Sequence, residues 1–160
     1  MNFENHWNAI KVKMDEYEFL SEPGLLYTEG LGPCIGLCLA YKDWAGIMHS
    51  IHPPHDEKEI GEVIKEAKRV IPKRKISLVH PVLCGSDPAP DDDEDSEEYE
   101  QDRLAAREKI IEILREAGFA EPKVHWSNPG ETAAVFADLV SHKIIVEVDS
   151  EYYEYPIQQA

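Results

Sequence analysis

Three residues capable of chemistry stand near one another early in the chain: Thr28, Cys34 and His49. Cys34 closes the stretch Thr28-Glu29-Gly30-Leu31-Gly32-Pro33-Cys34, and His49 follows fifteen residues later. A free thiol, with a pKa of roughly 8.5, is a weak nucleophile at neutral pH, and an adjacent base is the usual means of activating it. Glycines beside it let the backbone approach a carbonyl carbon without a Cβ clash. The pair therefore suits attack of a thiol on a carbonyl, with His49 as the base. The Thr28 hydroxyl can accept a bond from an imidazole N–H and so fix tautomer and ring orientation, the third-group role of a generalised triad. Spacing alone does not choose Thr28 over Ser50, Asp43 or Asp56.

The other cysteines and histidines have plainer readings. Cys38 lies within an apolar run and reads as a small buried hydrophobe, as most free cysteines are. His49, His52 and His55 form an H-x-x-H-x-x-H spacing that invites a zinc site. Pro53 and Pro54 break any helix there, however, and a strand would turn His49 and His52 to opposite faces. Neither a metal nor an organic cofactor is expected.

The elements that must position these residues are short. Pro23-Gly24 marks a turn, followed by the apolar run Leu25-Leu26-Tyr27-Thr28 and a second turn from Gly30 to Pro33. Ile35 to Tyr41 reads as a buried strand, Lys42-Asp43 as a turn, and Trp44 to Ile51 as the next strand. Met1 to Phe19 shows only weak strand-like alternation. From Asp56 to Val70, Ile60, Val63, Ile64 and Ala67 recur at helical spacing, with Asp56 as N-cap, Glu59 as its partner and Pro72 as the stop. Ile76 to Leu83 is expected as a strand, and Cys84 to Glu100 as a loop. Leu104 to Ala117 is expected as a helix with Leu104, Ile110, Ile111 and Leu114 on one side and Gly118 past its end. Val124 to Trp126 starts another strand, and Ala133 to Leu139 with Lys143 to Val148 reads as a closing hairpin. The fold class is thus α+β, a layered sheet domain of mainly antiparallel strands with two helices packed on it. A single domain over residues 1–160 is expected, with an acidic loop inserted at about 86–101.

The formal net charge is −16, from 32 acidic and 16 basic residues. This balance argues against a nucleic-acid backbone or an anionic membrane surface as partner, since both reward Lys and Arg. Eight of the ten residues from Asp91 to Glu100 are acidic, which reads as a solvated, self-repelling loop. Lys65, Lys68, Arg69, Lys73, Arg74 and Lys75 read as charge complementing a helix C-terminus. No run approaches a membrane span, the first nineteen residues lack the apolar segment of a secretory leader, and the three cysteines are odd in number. A cytoplasmic protein with reduced thiols is the expectation.

The stretch PGLLYTEGLGPCIGLCLAYKDWAGIMHSIHP resembles the core signature of the CheD-type chemoreceptor glutamine deamidases. That signature runs from a Pro-Gly turn through Thr-x-Gly-Leu-Gly-Ser-Cys and an apolar strand to a segment ending in His-x-x-x-Pro. Pro23-Gly24, Thr28, Gly30-Leu31-Gly32, Cys34, Cys38, and His49 with Pro53 fall on it. Pro33 departs from it, standing where the family has Ser. The family's later Gly-Gly-x-x-x-Arg segment is absent, with Ser127-Asn128-Pro129-Gly130 in the equivalent place. The resemblance is specific from about Pro23 to Pro53.

It implies a hydrolase that converts a protein glutamine to glutamate through a thioester, with Cys34 as nucleophile, His49 as base and Thr28 orienting His49. The oxyanion contacts it implies fall on Gly32 and Cys34; Pro33, between them, has no N–H to give. It further implies a chemoreceptor-like protein substrate, a CheC-type phosphatase as partner, and ester hydrolysis at related sites. A similar core occurs in deamidating toxins such as the cytotoxic necrotizing factors. The alternative is a deamidase-like binding module that docks a signalling partner without chemistry.

Overall fold

The run Ile35–Tyr41 and the run Trp44–Ser50 form two strands in which all seven residues of each are buried. Such continuous apolar runs suit strands covered on both faces. The two make a tight antiparallel hairpin from Ile35↔Ser50 to Tyr41↔Trp44. Lys42 takes the left-handed conformation at its turn, with φ 51°. These are β4 and β5 of ten strands in a computed structural model that describes residues 8–51, 57–88 and 96–160 (of Ser96, the backbone alone).

The strands preceding them are β1 (Ala9–Lys11), β2 (Glu16–Leu20) and β3 (Leu25–Leu31). Those that follow are β6 (Val82–Gly85), β7 (Lys123–Trp126), β8 (Ala133–Asp138), β9 (Lys143–Val148) and β10 (Glu151–Pro156). They form two five-stranded sheets, ordered β1-β3-β8-β9-β10 and β2-β5-β4-β6-β7. All neighbours are antiparallel except β1 with β3 and β6 with β7. Helices α1 (Glu57–Val70) and α2 (Ser96–Glu116) complete an α+β architecture.

Alternation along β4 and β5 sorts the core into two layers. Cys38, Ala40, Ala45 and Ile47 meet Leu26, Val135, Ala137 and Val146 between the two sheets. Leu37, Leu39, Trp44 and Met48 point the other way, onto Ile60, Val63 and Ala67 of α1 and Ile110 and Leu114 of α2. The order is therefore sheet, sheet, helices. Each fully buried leucine of the central strands contributes about 1.5–3 kcal/mol through burial alone. The outer face of the first sheet carries a smaller apolar patch, where the Tyr27 and Phe136 rings stack at 5.6 Å.

Three boundaries differ from the sequence expectation. Lys73–Leu78 forms a 3-10 turn rather than the start of a strand, and β6 begins only after Pro81. Pro81 thus stands before β6, where its missing N–H interrupts no ladder between β6 and its two neighbours. Helix α2 begins at Ser96, eight residues before Leu104, because Glu97 and Glu98 in its first turn favour the positive end of the helix dipole. The acidic segment is thus helical from Ser96 onward. β10 was not expected at all: its residues are exposed or half-buried, so no apolar alternation announces an edge strand paired only to β9.

Candidate functional site

β4, β5, β6 and β7 bring one set of ends together: the start of β4 and the ends of the other three. Here the backbone ladder continues past β4, since the Ser86 N–H donates to the Cys34 carbonyl at 2.8 Å and the Asp87 N–H to the Gly32 carbonyl at 2.8 Å. Gly85 permits this closeness. It has φ 87°, and a Cβ there would stand 2.4 Å from the Cys34 carbonyl oxygen.

Register places Cys34 against His49. Gly36 pairs directly with His49, and Cys34 lies two residues before Gly36, on the same face by strand alternation. The two are diagonal neighbours, a relation in which backbone positions stand about 7–8 Å apart and side chains on one face meet. Cys34 packs between the two sheets. Each is only 5 % exposed.

Thr28 comes from the opposite sheet and meets His49 across the interlayer. Its Oγ1 lies 2.7 Å from His49 Nδ1 and 2.8 Å from the Val12 carbonyl oxygen. These two contacts fix every proton. A carbonyl only accepts, so the Thr28 hydroxyl donates to Val12; its oxygen is then left to accept, so Nδ1 carries the imidazole proton. Nε2 of the neutral ring is consequently a bare lone pair, and it is a buried atom with no hydrogen-bond partner among the described residues. A buried acceptor without a protein partner costs about 1–3 kcal/mol unless another group meets it, so this nitrogen is the atom of the site most available to a proton donor.

Electrostatics keep both members of the pair neutral at rest. Burial pushes the Cys34 thiol up, Arg103 pulls it down, and Asp15 raises it further. Burial pushes His49 down, Lys11 acts in the same direction, and Asp15 opposes. Asp15 is bound to the site through its backbone, its N–H donating to the His49 carbonyl at 2.8 Å. The other two thiols are far less ionisable: Cys84 is pushed up to about 12 and Cys38 higher still, both by complete burial.

Two arginines of α2 frame the site, and neither was anticipated from the sequence. Arg103 donates to the carbonyls of Pro33 (3.5 Å) and Ile51 (3.2 Å), and its guanidinium lies 4.8 Å from the Tyr99 ring centre. Arg107 donates to the Ser86 carbonyl, to Ser86 Oγ at 3.2 Å and to the Ser127 carbonyl at 3.0 Å. It so ties the turn after β6 to the turn after β7. The signal lay in spacing: positions 103, 107, 110 and 114 form one helical row in which two arginine stems continue the stripe of Ile110 and Leu114. Leu104, expected on that stripe, is 42 % exposed.

The remaining candidates separate clearly. The Gly32 N–H, the other candidate oxyanion donor, donates to the Gly30 carbonyl at 3.0 Å in the turn that Gly30, at φ 68°, makes possible. Asp43 lies at the other end of the β4–β5 hairpin, where its carboxylate meets His142 at 2.8 Å. Ser50 is wholly buried at the end of β5. His52, His55 and Asp56, and Asp91 to Asp95 of the acidic run, lie outside the described residues. Among the described residues no group of three or more His, Cys, Asp and Glu side chains is placed to hold a metal ion. Nor is any described helix long and apolar enough to cross a membrane.

The class that fold and site define is an α+β double-sheet protein with a Cys–His–Thr constellation at one end of its sheets. The sequence matches no protein-family model and no curated protein.

Proposed function

We propose that the protein is a cysteine-dependent amidohydrolase that converts the side-chain carboxamide of a glutamine in another protein to a carboxylate. The observation that carries this reading is the relay Val12 carbonyl, Thr28 hydroxyl, His49 Nδ1–H, which leaves a buried Nε2 lone pair on the face of β5 that Cys34 shares across the hairpin.

The chemistry follows from those protonation states. As the carboxamide carbon approaches, Nε2 takes the Cys34 proton while Sγ forms the C–S bond, so the thiolate exists only as it attacks. The C–N bond then breaks, the imidazolium returns its proton to nitrogen, and ammonia leaves a thioester. Water, losing a proton to Nε2, adds to the thioester carbon, and the C–S bond breaks to give glutamate and the thiol. Thr28 accepts from Nδ1–H throughout and holds the ring in the tautomer that both halves require. Acid–base help of this kind contributes typically 10²–10⁴-fold. The oxyanion falls to the Cys34 amide, since Gly32 has used its N–H and Pro33 has none.

That scarcity of donors is also what favours the second reading, a deamidase-like module that docks a partner with little or no turnover. The resemblance to chemoreceptor deamidases supports a receptor-like substrate, and a CheC-type phosphatase as partner rests on it alone. The test is the mass of a glutamine-bearing receptor fragment after incubation with the protein and with Cys34→Ala. A gain of about 1 Da per site, absent with the variant, is the expected result. Absence of any gain from a fragment whose glutamine is exposed, while the fragment still binds the protein, would transfer the conclusion to the docking module.

A further inference from the structure

We propose that Arg103 is a positioning residue for the nucleophile: reaching in from α2, it joins the Pro33 carbonyl beside Cys34 to the Ile51 carbonyl beyond His49, and sets the Pro33–Cys34 peptide. This rests on the reading of Cys34 as the nucleophile. Arg103 is half-buried, its guanidinium lies against the Tyr99 ring, and its Nη1 is 3.2 Å from the Ile51 oxygen and 3.5 Å from the Pro33 oxygen. The first is an ordinary hydrogen bond; the second is a long one that still places a cation on the carbonyl dipole. One side chain thereby spans the start of β4 and the end of β5, the two backbone ends that carry nucleophile and base.

Peptide geometry turns this contact into a catalytic consequence. In a trans peptide the C=O and the N–H point in opposite directions. A cation on the Pro33 oxygen therefore aims the Cys34 N–H away from α2. It also draws electron density toward that oxygen, which strengthens the N–H as a donor. This is the very amide on which the oxyanion depends. A cation at this spot has a further effect on the thiol itself. Among the described residues, the charged and titratable groups that bear on Cys34 are Arg103 of α2, Asp15 before β2 and His49, its diagonal neighbour on β5. Arg103 is the one that favours the thiolate, against burial and Asp15. In a chain of net charge −16 that local cation matters all the more.

The experiment follows alkylation of Cys34 by iodoacetamide, in which the thiolate forms a C–S bond and iodide leaves. Cys34 is read by peptide mass from pH 6 to 10 in the full-length protein, in Arg103→Met and in Arg103→Lys. No protein substrate is needed, so the result is independent of whether deamidation is ever seen. The limb of the profile that reports thiolate should move upward by about one pH unit in Arg103→Met, about tenfold in rate at a fixed pH on that limb. Arg103→Lys, which keeps the charge, should recover most of it. A merely structural role would not be rescued by charge in this way. Should Arg103→Met fail to fold, Arg103→Gln carries the same comparison. An Arg103→Met profile that overlies the wild type would overturn the proposal, as would an Arg103→Lys profile no better than Arg103→Met. If the shift appears and no glutamine is ever deamidated, Arg103 stands and the reaction falls; the reverse pattern separates them the other way.

Discussion

The two ends of the double sheet are built from the same strands, yet they treat polar groups in opposite ways. At the end away from Cys34, polar atoms close on one another. Asp138 Oδ1 accepts from the backbone N–H groups of Val140 and Ser141, the Tyr41 hydroxyl donates to the Ala160 carbonyl, and Asp43 meets His142. At the Cys34 end His49 is set far deeper than His142, and among the described residues only one of its ring nitrogens has a partner. Its Nδ1 is bound to Thr28, and its Nε2 has no partner among the described residues. The first arrangement is what folding alone produces, since an unpaired buried polar atom is costly. The second retains that cost, and such places are where chemistry is to be sought.

The three cysteines sharpen the contrast, because they project into the same layer at different depths. Cys34→Ala should lower glutamine deamidation by at least about 10³-fold, since it removes the nucleophile, with about 1 kcal/mol of stability lost from a nearly buried position. Cys38→Ala should separate the two effects. It leaves a cavity in a fully buried position, costs about 1–2 kcal/mol in a urea titration, and leaves the reaction in place. If the Cys38 variant lost activity as severely as the Cys34 variant, the distinction between the strand's start and its interior would not hold.

Thr28→Val tests the relay itself. The shape is kept, but the Val12 carbonyl loses its donor and His49 Nδ1–H its acceptor. A rate loss of about 10²-fold is expected, with about 2 kcal/mol of stability lost through two unsatisfied buried groups. Thr28→Ser should restore most of both. The comparison is best read in the pH profile, because a ring free to adopt the other tautomer titrates differently from one held by Thr28.

How far these features could be read from the chain alone depended on whether the physics was local. The β4–β5 hairpin was legible because β4 is apolar throughout, β5 is apolar up to His49, and the turn between them is polar. Thr28 was one of several candidates, because its contact with His49 crosses from one sheet to the other and leaves no trace in spacing. Arg103 and Arg107 carry no such signal of their own, since an arginine on a helix most often faces solvent. Their guanidinium groups reach backbone carbonyls, and only their alignment with Ile110 and Leu114 hints at it. The 3-10 turn at Lys73–Leu78 hid behind the apolar residues Ile76 and Leu78, of which Ile76 is buried and Leu78 is exposed. β10 lacked a pattern because an exposed edge strand needs none.

A smaller effect is expected in stability against pH. His49 is pushed below its ordinary 6.5 by burial, so below that value the unfolded chain binds a proton that the folded chain resists. The unfolded state then holds more protons, and stability must fall as pH falls from about 6.5 toward the lowered folded value. His125, also pushed down by burial, adds a slope of the same sign from the β7 edge. Thermal unfolding of the wild type and of His49→Gln between pH 5 and 7.5 measures it. The variant should show a shallower acid slope, and an unchanged slope would place the histidine's proton in the folded state as well.

The smallest effect belongs to the opposite end of the molecule. Asp43 was as plausible a partner for His49 by spacing as Thr28, and the structure instead sets it against His142, with 78 % of its side chain exposed. A polar contact so exposed is worth about 0–1 kcal/mol, because water competes for both partners. Asp43→Ala should therefore shift the unfolding midpoint by no more than a degree or two and leave the Cys34 alkylation profile where it was. A displaced profile would mean that the two ends of the hairpin communicate. The difference between them would then lie in how β4 and β5 are tensioned, and no longer in which end leaves a buried nitrogen open.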